Sequence, residues 1–272
     1  MKTAKKLAFL FILSSTIFFS CSKEEIEEKR NLTDIFVAHA GGTIEGYVYT
    51  NCLEALDLSY SKGCKIFELD FLETTEGKVV AAHTWRHFKI STGYSGAIEE
   101  EPLTEKEFLS SKIYEKFTPM NLEDVIEWFA KHKDAVLMTD KINKPALFKK
   151  FPFKDRLIME LFTWKAVDEA IKEGIKPMPS ENLIFQIPYE NILVPDVEEK
   201  LTDLNIKHIA ISRRYIEKNK VFLKRLKGKG IKTYVYHIGW DAGKDEQYVF
   251  ENKLDYITGM FADNLDLIRE LK

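Results

Sequence analysis

Short apolar segments alternate with longer segments of helical periodicity from residue 35 to the end of the chain. Apolar and β-branched runs predict eight strands, over Ile35–Ala40, Lys65–Leu72, Ala135–Ile142, Arg156–Phe162, Asn182–Pro188, Lys207–Arg213, Ile231–Gly239 and Asp255–Phe261. Apolar residues spaced three and four apart predict helices, over Leu53–Lys62, Leu122–Lys131, Trp164–Glu173, Val197–Leu204, Val221–Lys227, Glu246–Asn252 and Ala262–Leu271. Largely apolar strands joined by helices indicate a parallel sheet that is covered on both faces.

Eight consecutive strands with helices between them predict an α/β fold, a single (β/α)8 TIM-type barrel over residues 35–272. The alternation is interrupted after the second strand, where Thr74–Gly77 predicts a turn and Val79–His83 an additional extended segment. A long polar stretch then reaches Pro119. Insertions of this length in compact domains are commonly functional or mobile, so the barrel is predicted to carry such an insertion.

The first twenty residues differ in pattern from the rest of the chain. Three lysines precede an apolar run over residues 7–19, which is shorter than the ~20 residues that a membrane-spanning helix requires. The pattern predicts a signal peptide over residues 1–20 and a charged tether over residues 21–34. Cys21 directly follows the small residue Ser20 and resembles the cleavage site of bacterial lipoproteins, where the cysteine is lipidated. Ordinary secretion, with Cys21 free or trimmed away, is the alternative.

The composition fits a globular domain, since 45% of the 272 residues are hydrophobic and 31% are charged. The formal net charge of -3 offers no basic surface for phosphate backbones, so nucleic acid is not an expected partner. Cys52 and Cys64 permit one disulfide in an exported protein. Both cysteines lie in segments predicted to face the core, and small buried hydrophobic side chains are the other interpretation.

Two acidic residues alternate with apolar ones in the segment Phe67–Phe71 (FELDF) of the second strand. Side chains alternate along a strand, so Glu68 and Asp70 face one way while their apolar neighbours face the helices. The acids are therefore predicted to point to the barrel axis, near the strand end where the active sites of such barrels lie. Burying two carboxylates requires a partner, either a hard cation such as Mg²⁺ or Ca²⁺ or an inward lysine or arginine.

Two histidines flank these acids along the sequence. His39 ends the first strand, before Gly41 and Gly42, and His83 ends the additional extended segment. Both are expected at the same rim of the barrel. Two imidazoles beside a metal ion can act as general base and general acid near neutral pH, although each taken alone is also compatible with a structural strand-end histidine.

Four short motifs in order carry a family resemblance: AHAGG (Ala38–Gly42), TNCLEAL (Thr50–Leu56), FELDF and VVAAHTW (Val79–Trp85). They resemble the successive motifs of the glycerophosphodiester phosphodiesterase family, within the wider phosphatidylinositol phospholipase C-like barrels. The closing segment DYITGMFAD (Asp255–Asp263) is similar to the family's last strand and turn. The resemblance spans the mature chain and implies a metal-dependent phosphodiesterase barrel.

The resemblance also implies roles for individual residues. His39 and His83 correspond to the catalytic pair, and Glu68 and Asp70 to metal ligands, for which Asp140 would supply the third carboxylate. A cap or loop acid is the alternative for Asp140. Asn51 would be a polar residue of the same mouth, and Lys141 a substrate-binding cation. From their places late on or after strands, Gln186 and Glu160 are candidates for the pocket lining or for structural partners, and His237 and Trp240 for a substrate wall or for core packing.

The chain departs from the family pattern at two positions. Ala40 replaces an arginine that grips phosphate, and Thr84 replaces an acid after the second histidine. Lys141 is the nearest substitute cation, but its spacing predicts that it faces away from the site unless a bulge intervenes. Arg86 and Arg213, on neighbouring loops, are further substitutes, and both are also compatible with surface positions.

The expected activity is metal-dependent phosphodiester hydrolysis, with His39 as base and His83 as acid, on glycerophosphodiesters or phospholipid head-group diesters. Two alternatives stay open: phospholipase C- or D-like cleavage of an intact phospholipid at a mouth built by residues 86–118, and a non-catalytic phospho-ligand-binding lipoprotein. The expected cofactor is Mg²⁺ or Ca²⁺. Lipidation of Cys21 would anchor the protein to a bacterial membrane, at the outer membrane or cell surface.

Overall fold

Eight parallel strands form a barrel in the computed structural model of the chain, which describes residues 32–185 and 194–270. The barrel strands along the chain are β1 (Phe36–Ala38), β2 (Ile66–Glu73), β4 (Val136–Asp140), β5 (Leu157–Leu161), β6 (Lys176–Pro179), β7 (His208–Ser212), β8 (Lys232–Tyr236) and β9 (Gly259–Ala262). A ninth strand, β3 (Val79–Ala81), lies outside the barrel and pairs with β2. The sheet order is β6-β5-β4-β2-β1-β9-β8-β7, and a parallel bridge between Ser180 and Ala210 brings its two edges together. The TIM-type barrel predicted from the sequence is confirmed.

The helices follow the strands as the periodicity predicts. They are α1 (Leu32–Ile35), α2 (Leu53–Ser61), α3 (Trp85–Ser91), α4 (Glu105–Ser110), α5 (Leu122–Lys131), α6 (Trp164–Lys172), α7 (Glu181–Phe185), α8 (Val194–Asp203), α9 (Arg213–Ile216), α10 (Lys220–Gly228), α11 (Glu246–Asn252) and α12 (Leu267–Glu270). Side chains that accept a hydrogen bond from the first turn start several of them, at Thr84, Thr104, Asn121, Thr163 and Asp245. Among the described residues, no helix has both the length and the apolar character to cross a membrane.

The insertion after β2 is a small subdomain with its own apolar cluster. β3 pairs antiparallel with β2, in the register Phe71–Ala81, so the additional extended segment predicted from the sequence is a strand. α3 and α4 follow it and bury the apolar side chains Trp85, Phe88, Leu103, Phe108, Ile113 and Phe117. The insertion is therefore folded against the second strand instead of forming an open loop.

The fifth barrel strand, β6, was wrongly placed by the sequence pattern. The barrel uses Lys176–Pro179, whereas the segment predicted as a strand, Asn182–Pro188, begins inside the helix Glu181–Phe185 and continues beyond the described residues. Two prolines and a lysine in Lys176–Pro179 hide the strand signal, because proline is uncommon in sheet interiors. The closing helix predicted over Ala262–Leu271 is likewise shorter, since Ala262 ends β9.

The barrel interior is filled by one apolar residue from each of the eight strands. These residues are Val37, Ile66, Met138, Ile158, Met178, Ala210, Tyr234 and Phe261. The neighbouring positions along each strand face the helices and belong to the larger outer core. This alternation is the packing that a closed parallel barrel requires, and it fixes which residues can reach the barrel axis.

Cys52 and Cys64 are free thiols, and both are buried. Burial raises the pKa of each thiol to about 11. They therefore act as small hydrophobic side chains, and the structure does not use the disulfide that the sequence permits. Cys21 lies outside the described residues, and its lipidation stays a prediction.

Candidate active site

A ring of polar side chains lies above the apolar interior, at the carboxyl ends of the strands. In every barrel strand, the position two residues after the inner apolar one is polar, and the alternation of side chains keeps it on the inner face. The eight residues of this polar ring are His39, Glu68, Asp140, Glu160, Ser180, Ser212, Tyr236 and Asp263. Active sites of such barrels lie at this end, so the ring is the first candidate for chemistry.

One cavity of about 610 Å³ opens at this end of the barrel. Every member of the polar ring except Ser212 lines it. The remaining lining residues are Tyr49, His83, Lys141, Phe162, His237, Ile238, Trp240 and Phe261. A volume of this size accommodates a small organic molecule, and the lining combines acids, imidazoles and aromatic rings.

Three carboxylates form a cluster on one side of the cavity. Asp70 on β2 and Asp140 on β4 are register partners, and Glu68 lies two residues before Asp70 on the same face. One oxygen from each of the three residues lies within 4.8 Å of the others. The predicted metal ligands Glu68, Asp70 and Asp140 are therefore brought together, and Glu68 and Asp70 are only 3% and 1% exposed.

The cluster is electrostatically unfavourable without a cation. Burial raises the pKa of Glu68 well above its usual value, and the charges of Asp70 and Asp140 raise it further. Burial and the charge of Asp140 likewise raise the pKa of Asp70. Glu68 and Asp70 resist ionisation because they are buried in a low-dielectric site close to each other and to Asp140.

The atoms of the cluster fit a hard divalent cation. Glu68 Oε2 accepts a hydrogen bond from the backbone N–H of Ala40 at 2.8 Å, whereas Glu68 Oε1 is buried without a hydrogen-bond partner. A buried oxygen without a donor is costly, and a metal ion would satisfy it. The three carboxylates offer only oxygen ligands, which Mg²⁺ and Ca²⁺ prefer.

Lys141 enters the cavity through a backbone turn that the strand pattern could not indicate. β4 ends at Asp140, and Lys141 adopts a left-handed conformation with φ of 68°. Its Nζ lies 3.2 Å from Asp140 Oδ2 and 3.9 Å from Asp70 Oδ1. One lysine beside three carboxylates leaves most of their charge uncompensated, so a structural salt bridge alone does not account for the cluster.

Asn51 positions Asp70 and does not face the cavity. Its Nδ2 donates to Asp70 Oδ2 at 2.9 Å, and its Oδ1 accepts from the Asp70 backbone N–H at 2.9 Å. The side chain is fully buried and is not among the lining residues of the cavity. These hydrogen bonds orient the predicted metal ligand Asp70 from behind, and the substrate contact of Asn51 stays a prediction.

His39 is held by a turn after β1 and by a distant acid. Ala40 is left-handed, with φ of 47°, and directs its N–H to Glu68 while His39 faces the cavity. His39 Nδ1 lies 2.9 Å from Asp263 Oδ1. Burial opposes protonation of His39, but Asp263 and the nearby carboxylates outweigh it, so the pKa of His39 lies above its usual value.

His83 lies across the cavity at the end of the hairpin formed by β2 and β3. The Ala82 N–H donates to the Asp70 carbonyl at 3.0 Å, which fixes this hairpin end beside the carboxylate cluster. Burial is the largest influence on His83 and outweighs the charge of Asp70, so the pKa of His83 lies below its usual value. The two histidines thus have pKa values shifted in opposite directions.

Two residues of the site were not singled out from the sequence. Asp263 lies 224 positions from its partner His39. Its place in the closing motif, which resembles the family's last strand and turn, was the one sequence feature that could have indicated a role for it. Tyr49 lies between the two histidines, with its ring centroid 4.8 Å from that of His39 and 4.7 Å from that of His83. No periodicity or motif marks Tyr49, which has a left-handed backbone with φ of 57°.

The other predicted residues divide into three groups. Gln186 lies outside the described residues. His237, Trp240 and Glu160 line the cavity, which favours the pocket interpretation of each over the structural one. Arg213 forms an ion pair with Asp241, and neither it nor Arg86 lines the cavity. Among the described residues, Lys141 is the lysine or arginine that does.

Several solved structures share this architecture. A glycerophosphodiester phosphodiesterase from Thermotoga maritima is 20% identical, with 88% of this chain and 97% of that chain covered and a TM-score of 0.65. One from Parabacteroides distasonis is 14% identical, with 88% and 96% covered and a TM-score of 0.66. A phosphodiesterase from Oleispira antarctica, solved with the product sn-glycerol-3-phosphate, is 18% identical, with 88% and 97% covered and a TM-score of 0.66. The chain has the fold of the glycerophosphodiester phosphodiesterases.

No protein-family model matches the chain, and no curated protein matches its sequence significantly. On the phosphodiesterase fold, three of the four short motifs that carry the sequence resemblance supply residues at one cavity. AHAGG supplies His39, FELDF supplies two carboxylates, and VVAAHTW supplies His83. The motifs therefore converge in space although they are separate in sequence.

Proposed function

We propose that this protein is a metal-dependent phosphodiester hydrolase that cleaves glycerophosphodiesters or related head-group diesters. The observation that carries the proposal is the convergence of Glu68, Asp140, His39 and His83 on one cavity, with Asp70 completing the carboxylate cluster. A cation-binding carboxylate cluster between two imidazoles suits phosphoryl transfer, in which charge must be neutralised and two protons must move. The phosphodiesterase fold agrees with this chemistry but does not by itself decide it.

Glu68, Asp70 and Asp140 would hold the divalent ion. When bound, the ion would neutralise charge that develops on the phosphate oxygens. Lys141 adds a positive charge on the same side of the cavity. It would take over the phosphate contact of the arginine that the family pattern has at the position of Ala40.

The two histidines would move the protons of the reaction. In hydrolysis a water oxygen bonds to phosphorus and loses a proton, and the P–O bond to the alcohol breaks as that oxygen gains one. His83, whose pKa is lowered, is suited to accept the proton from water because it rests in the neutral form. His39, whose pKa is raised by Asp263, is suited to donate the proton to the leaving alcohol.

This proposed assignment reverses the one expected from the sequence, in which His39 was the base and His83 the acid. Sequence position cannot distinguish the two roles, because both histidines end strands at the same rim. The distinction comes from their surroundings. Asp263 contacts His39, whereas the described structure gives His83 an aromatic neighbour in Tyr49 and no carboxylate within ion-pair distance.

The test of function is turnover of defined diesters. Glycerophosphocholine, glycerophosphoinositol and phosphatidylinositol are each supplied with Mg²⁺ or Ca²⁺, and a chelator-treated sample and His39→Ala serve as controls. We expect metal-dependent release of a phosphomonoester from the glycerophosphodiesters. Failure to turn over any diester with either metal would overturn the enzymatic proposal and favour a binding protein. Cleavage restricted to the intact phospholipid would favour the phospholipase alternative, although no residue from 86–118 lines the cavity.

The pH profile of Asp263→Asn tests the roles of the histidines. Loss of the Asp263 carboxylate should lower the pKa of His39. If His39 is the acid, activity falls as pH rises through its pKa, so the alkaline limb of kcat/KM should move to lower pH in the variant. Movement of the acidic limb instead would make His39 the base. Asp266→Asn, at a half-buried acid nearby in sequence that pairs with Lys62 and Arg269 and not with His39, is the matched control and should shift neither limb.

We also propose that the protein is exported and anchored through a lipid on Cys21. The sequence pattern over residues 1–21 supports this proposal. In a bacterial host, the wild-type protein should incorporate a labelled fatty acid and fractionate with membranes, and Cys21→Ser should do neither. Membrane association and labelling that persist in Cys21→Ser would refute the anchor.

A further inference from the structure

Glu160 is a buried acid in the cavity that the proposed catalysis does not use. It is 5% exposed, lies on β5 in the polar ring, and has Ser180 as a hydrogen-bonding neighbour. Among the described residues, no lysine, arginine or histidine forms an ion pair with it. A carboxylate in this position is costly unless a positive group approaches it through the cavity.

The other charges of the site can balance without Glu160. A divalent ion and Lys141 together carry as much positive charge as the carboxylates of Glu68, Asp70 and Asp140 carry negative. Asp263 is paired with His39. Burial raises the pKa of Glu160 well above its usual value, so it is the cavity-lining acid whose ionised form lacks a counter-charge when the metal site is filled.

The walls beside Glu160 are aromatic and apolar. Phe162 follows it on the same face of the chain, and Tyr236 and Ile238 line the cavity from the end of β8. Burial, followed by the charge of Glu160, raises the pKa of Tyr236, so its phenol stays neutral and its ring remains a π surface. Ammonium groups bind well where a carboxylate adjoins aromatic faces that exclude water.

Glu160 is also at a suitable distance from the reacting phosphate. Thr139 on β4 pairs with Met159 on β5, so the next residues, Asp140 and Glu160, lie on adjacent strands. Adjacent strands are ~5 Å apart, about the reach of an ammonium group two carbons beyond an ester oxygen. An alcohol of that length can therefore place its ammonium near Glu160 while its phosphate lies at the metal ligands.

We propose that Glu160, with Phe162 and Tyr236, forms a subsite for a positively charged alcohol, so that diesters of choline- or ethanolamine-type alcohols are preferred over diesters of neutral alcohols. This inference rests on the proposed phosphodiesterase function and adds the substrate class. It assigns Glu160 to substrate selection, separate from metal binding and proton transfer.

The experiment compares kcat/KM for glycerophosphocholine with that for glycerophosphoinositol, whose alcohol is neutral and polar. Wild-type protein should favour glycerophosphocholine, and Glu160→Gln should reduce the ratio of the two values by about 10- to 30-fold, the order expected for a desolvated contact of a quaternary ammonium group. Glu160→Asp, which keeps the charge on a shorter side chain, should recover part of the ratio. Glu101→Gln, at an exposed loop position, is the matched control and should leave the ratio unchanged.

Calorimetric titration with glycerophosphocholine and with free choline, with and without Mg²⁺, provides a readout that does not need turnover. Binding that is lost in Glu160→Gln supports the subsite even if no diester is hydrolysed, in which case the proposed activity fails and the subsite survives. An equal loss of kcat/KM for both diesters in Glu160→Gln would overturn the subsite. The absence of any preference for glycerophosphocholine in the wild-type protein would overturn it as well.

Discussion

His39→Ala should lower kcat/KM for glycerophosphocholine by about 10³-fold, within the range that general acid–base catalysis contributes. The choline or glycerol oxygen is a poor leaving group unless it is protonated as the P–O bond breaks. With His39 assigned as the acid, its removal leaves that oxygen without a positioned proton. The imidazole lies in the cavity wall, so its truncation should change the melting temperature little.

The same variant separates the two histidine roles when the leaving group is changed. Nitrophenolate departs without protonation, so His39→Ala should lose much less activity on a 4-nitrophenyl phosphodiester than on glycerophosphocholine. His83→Ala, which removes the assigned base, should lose activity on both substrates to a similar extent. The opposite assignment, with His83 as acid and His39 as base, would follow from the reverse result. In that case His39→Ala would lose equal activity on both substrates, and His83→Ala would lose less activity on the nitrophenyl diester than on glycerophosphocholine.

Glu68→Gln should abolish metal-dependent activity and at the same time stabilise the metal-free protein by about 2 kcal/mol. The glutamine oxygen can still accept the Ala40 N–H bond, and its amide can donate to the neighbouring carboxylates of Asp70 and Asp140. The variant removes one buried charge from a repelling group but also removes a ligand. Thermal unfolding with and without Mg²⁺ or Ca²⁺ measures both effects.

The pH dependence of this stabilisation has a defined sign. The pKa of Glu68 is higher in the folded protein than in the unfolded chain, so the folded state retains extra protons between those two values. The stability of the metal-free wild type should therefore fall as pH rises through that interval, and the advantage of Glu68→Gln should grow. A variant that is destabilised at neutral pH, or that keeps a metal-induced rise in melting temperature, would contradict the assignment of the cluster. Glu123→Gln, an exposed helical acid, is the control.

The sequence alone located most of the barrel and the core of the site, because both depend on alternation along strands. Glu68 and Asp70 were placed at the inner face by period-two reasoning, whereas Asp140 was proposed from the family resemblance. Their neighbours Ile66 and Met138 fill the interior as that period requires. The exception is β6. Its segment contains Pro177 and Pro179, which are uncommon in strands, so no strand was predicted there. The strand was predicted instead over the more apolar residues that follow, Asn182–Pro188.

What the sequence missed depends on single backbone angles and on distant contacts. Lys141 points into the cavity because its φ is positive, and strand periodicity does not predict a positive φ. Asn51 turns behind Asp70 for the same reason. Asp263 meets His39 only when the last strand lies beside the first, and the opposite pKa shifts of the two histidines depend on that pairing.

The two histidines reach the site through contacts of very different range in the chain. His83 is delivered by a hairpin between neighbouring strands, whose contacts are local and can form early in folding. The pairing of His39 with Asp263 joins residues 224 positions apart and requires the first and last strands to dock. A partly assembled barrel can therefore hold the hairpin histidine in place while the other histidine still lacks its acid. Recovery of activity during refolding should thus report the final closure of the barrel, later than the recovery of secondary structure.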